Sequence, residues 1–138
     1  NNYGHLNTYS FNFSHKFVQT DASKNKENIV DLANDYNLTG FCMAGKPGIV
    51  CLEGILEVCE EVWSIIKQWN WKKISVKYQE NADPEDLKSF KKFDTFEEIG
   101  FVKVDSRDNR IDTREFFRYL QDKDCEHVYN ELFGIDKS

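Results

Sequence analysis

Tyr9, Phe11, Phe13, His15 and Phe17 alternate with Ser10, Asn12, Ser14 and Lys16 near the start of the chain. A repeat of two, aromatic on one side and polar on the other, predicts a β-strand with one covered and one solvated face. Ile29, Ala33 and Tyr36, flanked by Val30 and Leu32, then recur at helical spacing. Ser23 can cap this helix, which should end near Asn37. Two short β-rich runs follow, Leu38 to Met43 and Ile49 to Leu52. The intervening Ala44-Gly45-Lys46-Pro47-Gly48 predicts a hairpin turn, because proline presets one backbone angle and glycine permits the opposite sign. The second arm does not alternate, so it should be buried on both faces. Ile55, Cys59, Val62, Trp63 and Ile66 step by three and four and predict a second helix, with Glu57, Glu60 and Glu61 in its first half complementing the helix dipole. Ile74, Val76 and Tyr78, alternating with Lys73, Ser75 and Lys77, predict a fourth strand.

Strand, helix, strand, strand, helix, strand is the order of the ferredoxin-like split βαβ unit. It predicts an α+β fold with a four-stranded antiparallel sheet and both helices on one face. Residues 1–80 hold this unit, and 81–138 should form a helical extension of the same single domain. Asp83-Pro84-Glu85-Asp86 signals a helix start, and Asp112-Thr113-Arg114-Glu115 resembles a capping box ahead of Phe116, Phe117 and Leu120. Asp124 can cap a last helix carrying Val128, Leu132 and Phe133 and ending at Gly134. Phe90, Phe93, Phe96 and Phe101 lie in an otherwise charged stretch and need a surface to bury against. The doubly apolar hairpin arm needs a cover. The C-terminal third should therefore pack onto the sheet or its edge.

Composition changes the picture in three ways. With 138 residues, 40% apolar and 14% aromatic, the chain is too core-rich for disorder, and its apolar runs are too short to span a bilayer. The first residues show no charged-then-apolar leader pattern. With 24 acidic against 18 basic side chains the net charge is −6, which weighs against coating nucleic acid through charge alone. The charge is uneven, however: residues 81–138 carry fifteen acidic and ten basic side chains, and all four arginines, Arg107, Arg110, Arg114 and Arg118, fall there. Cys42, Cys51, Cys59 and Cys125 sit in apolar patterns without metal-ligand spacing. They read as buried thiols of a reducing compartment, with a Cys42–Cys51 disulfide across the hairpin as the rival reading.

Candidate chemistry is sparse. Gly45-Lys46-Pro47-Gly48 lacks the spacing of a phosphate loop and reads as a turn. Asp105 to Glu115 fails as a calcium loop in either frame, since its glycine or its last glutamate is always misplaced. His15 on an aromatic strand face reads as a core histidine, and no nucleophile signature is present. No catalytic residue, cofactor or metal site is predicted. Binding surfaces fare better. If the strands present their polar sides together, Lys16, Lys73, Ser75 and Lys77 share a sheet face with Asn12 and Ser14, and Lys72 adjoins it. Arg107, Arg110 and Arg114 are candidate anion contacts, although interleaved carboxylates offer local ion pairs instead. Trp69 and Trp71, at a helix-to-strand junction, are candidate protein contacts, one ring expected in the core and the other partly exposed.

Leu38-Thr39-Gly40-Phe41, Gly45-Lys46-Pro47-Gly48-Ile49-Val50-Cys51-Leu52-Glu53-Gly54 and Trp69-Asn70-Trp71-Lys72-Lys73-Ile74 resemble the C-terminal domain of RWD domain-containing protein 2. Ser14-His15-Lys16, Phe116 to Tyr119 and Leu132-Phe133-Gly134-Ile135 extend the likeness over nearly the whole chain. More distantly, the Leu-Thr-Gly and Glu-Gly positions are similar to the C-terminal domain of pre-mRNA-processing factor 3, a spliceosomal protein. The first resemblance implies one domain of a longer protein, with no activity to carry over. The second implies RNA binding, for which Lys72, Lys73 and Lys77 are candidates by position and charge. The reading is thus an intracellular, cytoplasmic or nuclear, non-enzymatic domain that binds a protein partner without membrane contact, with RNA binding as the alternative.

Overall fold

The computed structural model describes residues 12–20, 26–83, 85, 87–101 and 111–133. Its strands are β1 (Phe13–Thr20), β2 (Thr39–Met43), β3 (Gly48–Ile55), β4 (Ile74–Ala82) and β5 (Phe96–Ile99). Its helices are α1 (Lys26–Asp35), α2 (Leu56–Ile66), α3 (Leu87–Phe90), α4 (Thr113–Asp122) and α5 (Tyr129–Leu132), with a 3-10 turn at Glu126–Val128 before the last. The fold is α+β, and the strands form one sheet in the order β4-β1-β3-β2-β5. The first four are antiparallel, in the arrangement that the split βαβ order predicts. The sheet nonetheless differs from the expected one. It has five strands, and β5 joins β2 in parallel register, with Gly40 opposite Phe96 and Met43 opposite Ile99. Glu97 and Glu98 hide this strand in the sequence, because carboxylates at its centre read as solvated loop. Each has a partner: Glu97 accepts from the Tyr119 hydroxyl at 2.9 Å, and Glu98 pairs with Lys26 at 3.5 Å.

Alternation along β3 serves two cores. Val50 and Leu52 pack with Ile29 and Ala33 of α1 and with Cys59, Val62 and Ile66 of α2. Ile49 and Cys51 pack on the other face with Phe93, Phe116, Leu120, Val128 and Leu132. The hairpin arm is buried on both sides, as its lack of alternation predicts, and the C-terminal aromatics are its second cover. The hairpin turn forms as expected, joining Met43 to Ile49 in register.

Interior position also overturns the solvated face expected of β1. Ser14 and Lys16 are buried, because this strand lies between β3 and β4 with α2 over its polar side. The Lys16 ammonium lies over the Trp63 ring, 5.7 Å from its centroid, and pairs with Glu60 at 2.5 Å, so the buried charge is met by a ring face and a carboxylate. A shared lysine face does not form. The β1–β4 register shifts between Phe17 and Val18, so that Tyr78 opposes Phe17 but Val76 opposes Val18. An extra residue in an antiparallel strand reverses which face later side chains take. Ile74 consequently packs with the α1–α2 core and Tyr78 with the C-terminal one.

Two expected caps differ in detail. Asp112 caps α4 by accepting from the Arg114 and Glu115 amides at 3.1 and 3.2 Å. The reciprocal half of a capping box is not made: the Asp112 amide donates to the Phe101 carbonyl, and Glu115 pairs with Arg118. Asp124 caps no helix; it adopts φ 58° and pairs with Lys92 at 3.0 Å. The expected features at Tyr9, Phe11, Ser23, Pro84, Asp86, Asp105 and Gly134 lie outside the described residues.

Gly40 is where the sheet depends on a missing side chain. Its φ is +132°, and an added Cβ would lie 2.0 Å from the Cys51 carbonyl oxygen, whereas a Cβ on Gly100 would meet nothing within 4 Å. Gly40→Ala should therefore cost more than about 3 kcal/mol, combining backbone strain with a clash against main chain, while Gly100→Ala should stay within about 0.5 kcal/mol of the parent. Urea unfolding of the two variants measures both.

Candidate functional site

A row of polar side chains crosses the C-terminal face of the sheet. Strand register sets Glu80, His15, Glu53 and Thr39 opposite one another on β4, β1, β3 and β2. Glu53 and His15 are sealed, at 0% and 1% exposure. An ionised carboxylate only accepts, so the His15 Nε2–H donates to Glu53 Oε2 at 2.7 Å. The Thr39 hydroxyl donates to Oε1. The Lys92 amide donates to Oε2 at 2.5 Å and the Phe93 amide to Oε1 at 3.3 Å, a pair of successive N–H groups that cradles the anion. The Lys91 ammonium adds charge at 3.6 Å. Burial alone would push the Glu53 carboxyl up; hydrogen bonds from His15, Thr39 and Lys92, with the charge of His15, outweigh it and hold the group below the usual carboxylate range. His15 lies against the Phe90 ring at 4.3 Å, and its Nδ1 has no partner.

Could this group do chemistry? Histidine, carboxylate and hydroxyl are the right types for proton transfer, but a substrate atom must come within hydrogen-bond reach. Phe90, Phe93 and Phe17 surround the ring instead. The second histidine, His127, meets Glu80 at 3.1 Å at the surface. The four thiols are free and buried. Burial pushes Cys42, Cys59 and Cys125 up to about 12 and Cys51 well above its ordinary value, so none is a ready nucleophile. Cys42 and Cys51 point into opposite cores, which explains why the hairpin holds no disulfide. No cluster of three metal-ligating side chains occurs among the described residues.

The other predicted contacts fall into three groups. Lys16, buried beneath α2, is withdrawn from any external ligand. Lys72 and Lys73 are exposed and Lys77 half-exposed, along or just before the outer strand β4. Trp69 and Trp71 stack beside them with centroids 6.5 Å apart, and the Trp71 indole donates to the Ile66 carbonyl at 2.7 Å. Both rings are half-buried against the α1–α2 core, in place of the expected one-in, one-out pair. Val76, on β4, is an exposed large apolar side chain, at 37%. Arg114 is exposed on α4, while Arg107 and Arg110 lie outside the described residues.

The C-terminal domain of small nuclear ribonucleoprotein Prp3 is the family that matches, over residues 13–132. The chain belongs to that family. The Prp3 C-terminal match supports the more distant of the two sequence resemblances; that to RWD domain-containing protein 2 remains a resemblance. Among individual relatives, phomoidride biosynthesis cluster protein F of Fungal sp. (strain ATCC 74256) is 33% identical over 129 residues, which are 86% of this chain and 42% of that protein. The chain thus spans well under half the length of this relative. A solved structure titled BlsA photo-activated state superposes with a TM-score of 0.50 at 13% identity, covering 92% of this chain and 98% of the other. This likeness is one of fold. Among the described residues of this Prp3 C-terminal domain, no helix is long and apolar enough to cross a membrane.

What sequence reasoning missed in this family member is Glu53. A lone glutamate in an apolar strand announces a buried anion only if its donors can be located, and these lie 14 to 40 residues away along the chain. Because Glu53 titrates lower in the folded state than when unfolded, its contribution is complete above the ordinary carboxylate value of about 4.3 and disappears as pH falls through the lowered folded value. Glu53→Gln should lower stability at neutral pH by about 3–5 kcal/mol and flatten the acid limb of the stability curve. Chemical unfolding followed from pH 7 to pH 3 tests both.

Proposed function

We propose that this Prp3 C-terminal domain is a non-enzymatic interaction module that binds a protein partner along β4, with Trp69, Trp71 and Val76 as its apolar contacts. The observation that carries the reading is the double covering of the sheet. Helices α1 and α2 occupy one face and the C-terminal elements the other, so the broad face on which small RNA-binding modules stack bases is filled. β4 is one of the sheet's two edge strands, pairs with β1 alone and, unlike the other edge β5, carries an exposed large apolar side chain, Val76. A strand edge offers main-chain donors and acceptors to an added strand, with alternate side chains giving selectivity. Lys72, Lys73 and Lys77 favour an acidic partner segment and also guard the free edge against self-pairing. The sealed His15–Glu53 pair and the raised thiols support the non-enzymatic part of the reading.

A second reading, RNA binding, is favoured by the ribonucleoprotein in the family's description together with the same three lysines. Either role suits an intracellular protein, nuclear or cytoplasmic. The two separate experimentally. A photo-reactive amino acid at position 76 should give one discrete protein adduct, lost when Trp69 and Trp71 are changed to alanine. An RNA adduct, with affinity falling steeply between two salt concentrations and abolished by changing Lys72, Lys73 and Lys77 to glutamate, would install the second reading. No adduct of either kind would overturn both.

A further inference from the structure

Helix α4 has two faces, and only one is explained by the core. Phe116 and Leu120 point inward and are fully buried. Arg114, Phe117, Arg118 and Gln121 form another stripe at the spacing of one helix face, where residues three and four apart are neighbours. With Thr113, Tyr129 and Asn130 they line an open groove of about 640 Å³ between α4 and α5. Its floor is aromatic: Phe117 and Tyr129 meet edge to face, with centroids 5.0 Å apart and planes at 85°. Both rings are half-buried, so an edge of the pair faces the groove. Its wall is cationic. Arg118 pairs with Glu115 at 3.1 Å, an exposed contact of the kind that gives little stability and is readily exchanged. The Arg114 guanidinium has no carboxylate partner among the described residues.

We propose that this groove is a second binding site, which takes a short acidic segment of a partner protein carrying one apolar or aromatic side chain. Carboxylates of that segment pair with Arg114 and Arg118 in the forked geometry that guanidinium groups favour. The apolar side chain lies on the Phe117–Tyr129 pair, and Gln121, Thr113 and Asn130 supply hydrogen bonds to its main chain. A peptide fits the charge better than a nucleic acid. Affinity for nucleic acid grows with the number of phosphates neutralised, and here two arginines stand on a chain of net charge −6. The site is on different elements from β4, so it stands or falls independently of the proposed strand-edge contact.

A fluorescent peptide of the pattern Glu-Glu-Phe-Glu-Glu-Leu, its glutamine counterpart and a labelled oligouridylate are the probes, read by anisotropy against the intact chain at low and moderate salt. The acidic peptide should bind saturably and shift amide resonances of Thr113, Gln121 and Asn130. Changing Arg114 and Arg118 together to glutamate should weaken it roughly tenfold or more, while the same charge reversal at exposed Lys88, Lys88→Glu, leaves it unchanged. Both arginines are exposed, so the double variant should keep the parent's melting curve, which separates lost binding from lost folding. Equal binding by the double variant, resonance shifts elsewhere, preference for the glutamine peptide or for oligouridylate, or no saturation with any probe would each overturn the proposal.

Discussion

One buried carboxylate organises this fold. Glu53 sits mid-sheet with neighbours on both sides in register, and its oxygens collect donors from β1, from β2 and from the segment between α3 and β5. A charge taken out of water is tolerated only when its lone pairs are filled. Here filling them requires Lys92 and Phe93 to lie over the sheet, and that places the phenylalanine-rich stretch where it can cover the apolar arm. Phe93 then packs against Phe41, which in turn meets Phe116 and Tyr119. The polar anchor fixes the position of the C-terminal segment, and the apolar area that follows provides most of the attraction.

That closure decides where function can reside. With both faces occupied, the proposed contacts fall on the edge strand β4 and in the groove between α4 and α5. Inside, His15 and Glu53 engage each other and the thiols pack as small apolar side chains, while His127 meets Glu80 at the surface.

Much of the architecture was legible because it is local. Period two gave the first strand, three-and-four spacing gave α1 and α2, Pro47 and its flanking glycines gave the hairpin, and the non-alternating Ile49 to Leu52 demanded two covers. Three misses involve partners distant in sequence. Phe96-Glu97-Glu98-Ile99 reads as loop until Tyr119 and Lys26 arrive to hold its carboxylates. Ser14 and Lys16 read as solvated until α2 is laid across them. The bulge in the β1–β4 register splits a lysine face that simple alternation implies. Of the candidate site, lysines 72, 73 and 77 lie at or near the surface, the two tryptophans are both half-buried where one core and one exposed ring were expected, and the Phe117–Tyr129 groove depends on how α4 and α5 meet, which spacing does not encode.

The most direct test of the central interaction is amide hydrogen exchange at Lys92 and Phe93, compared between the parent chain and Glu53→Gln under native conditions. If the buried carboxylate holds that segment on the sheet, both amides exchange slowly in the parent and lose protection in the variant by far more than the Leu120 amide within α4. Unprotected Lys92 and Phe93 amides in the parent, or equal loss at all three positions, would contradict it.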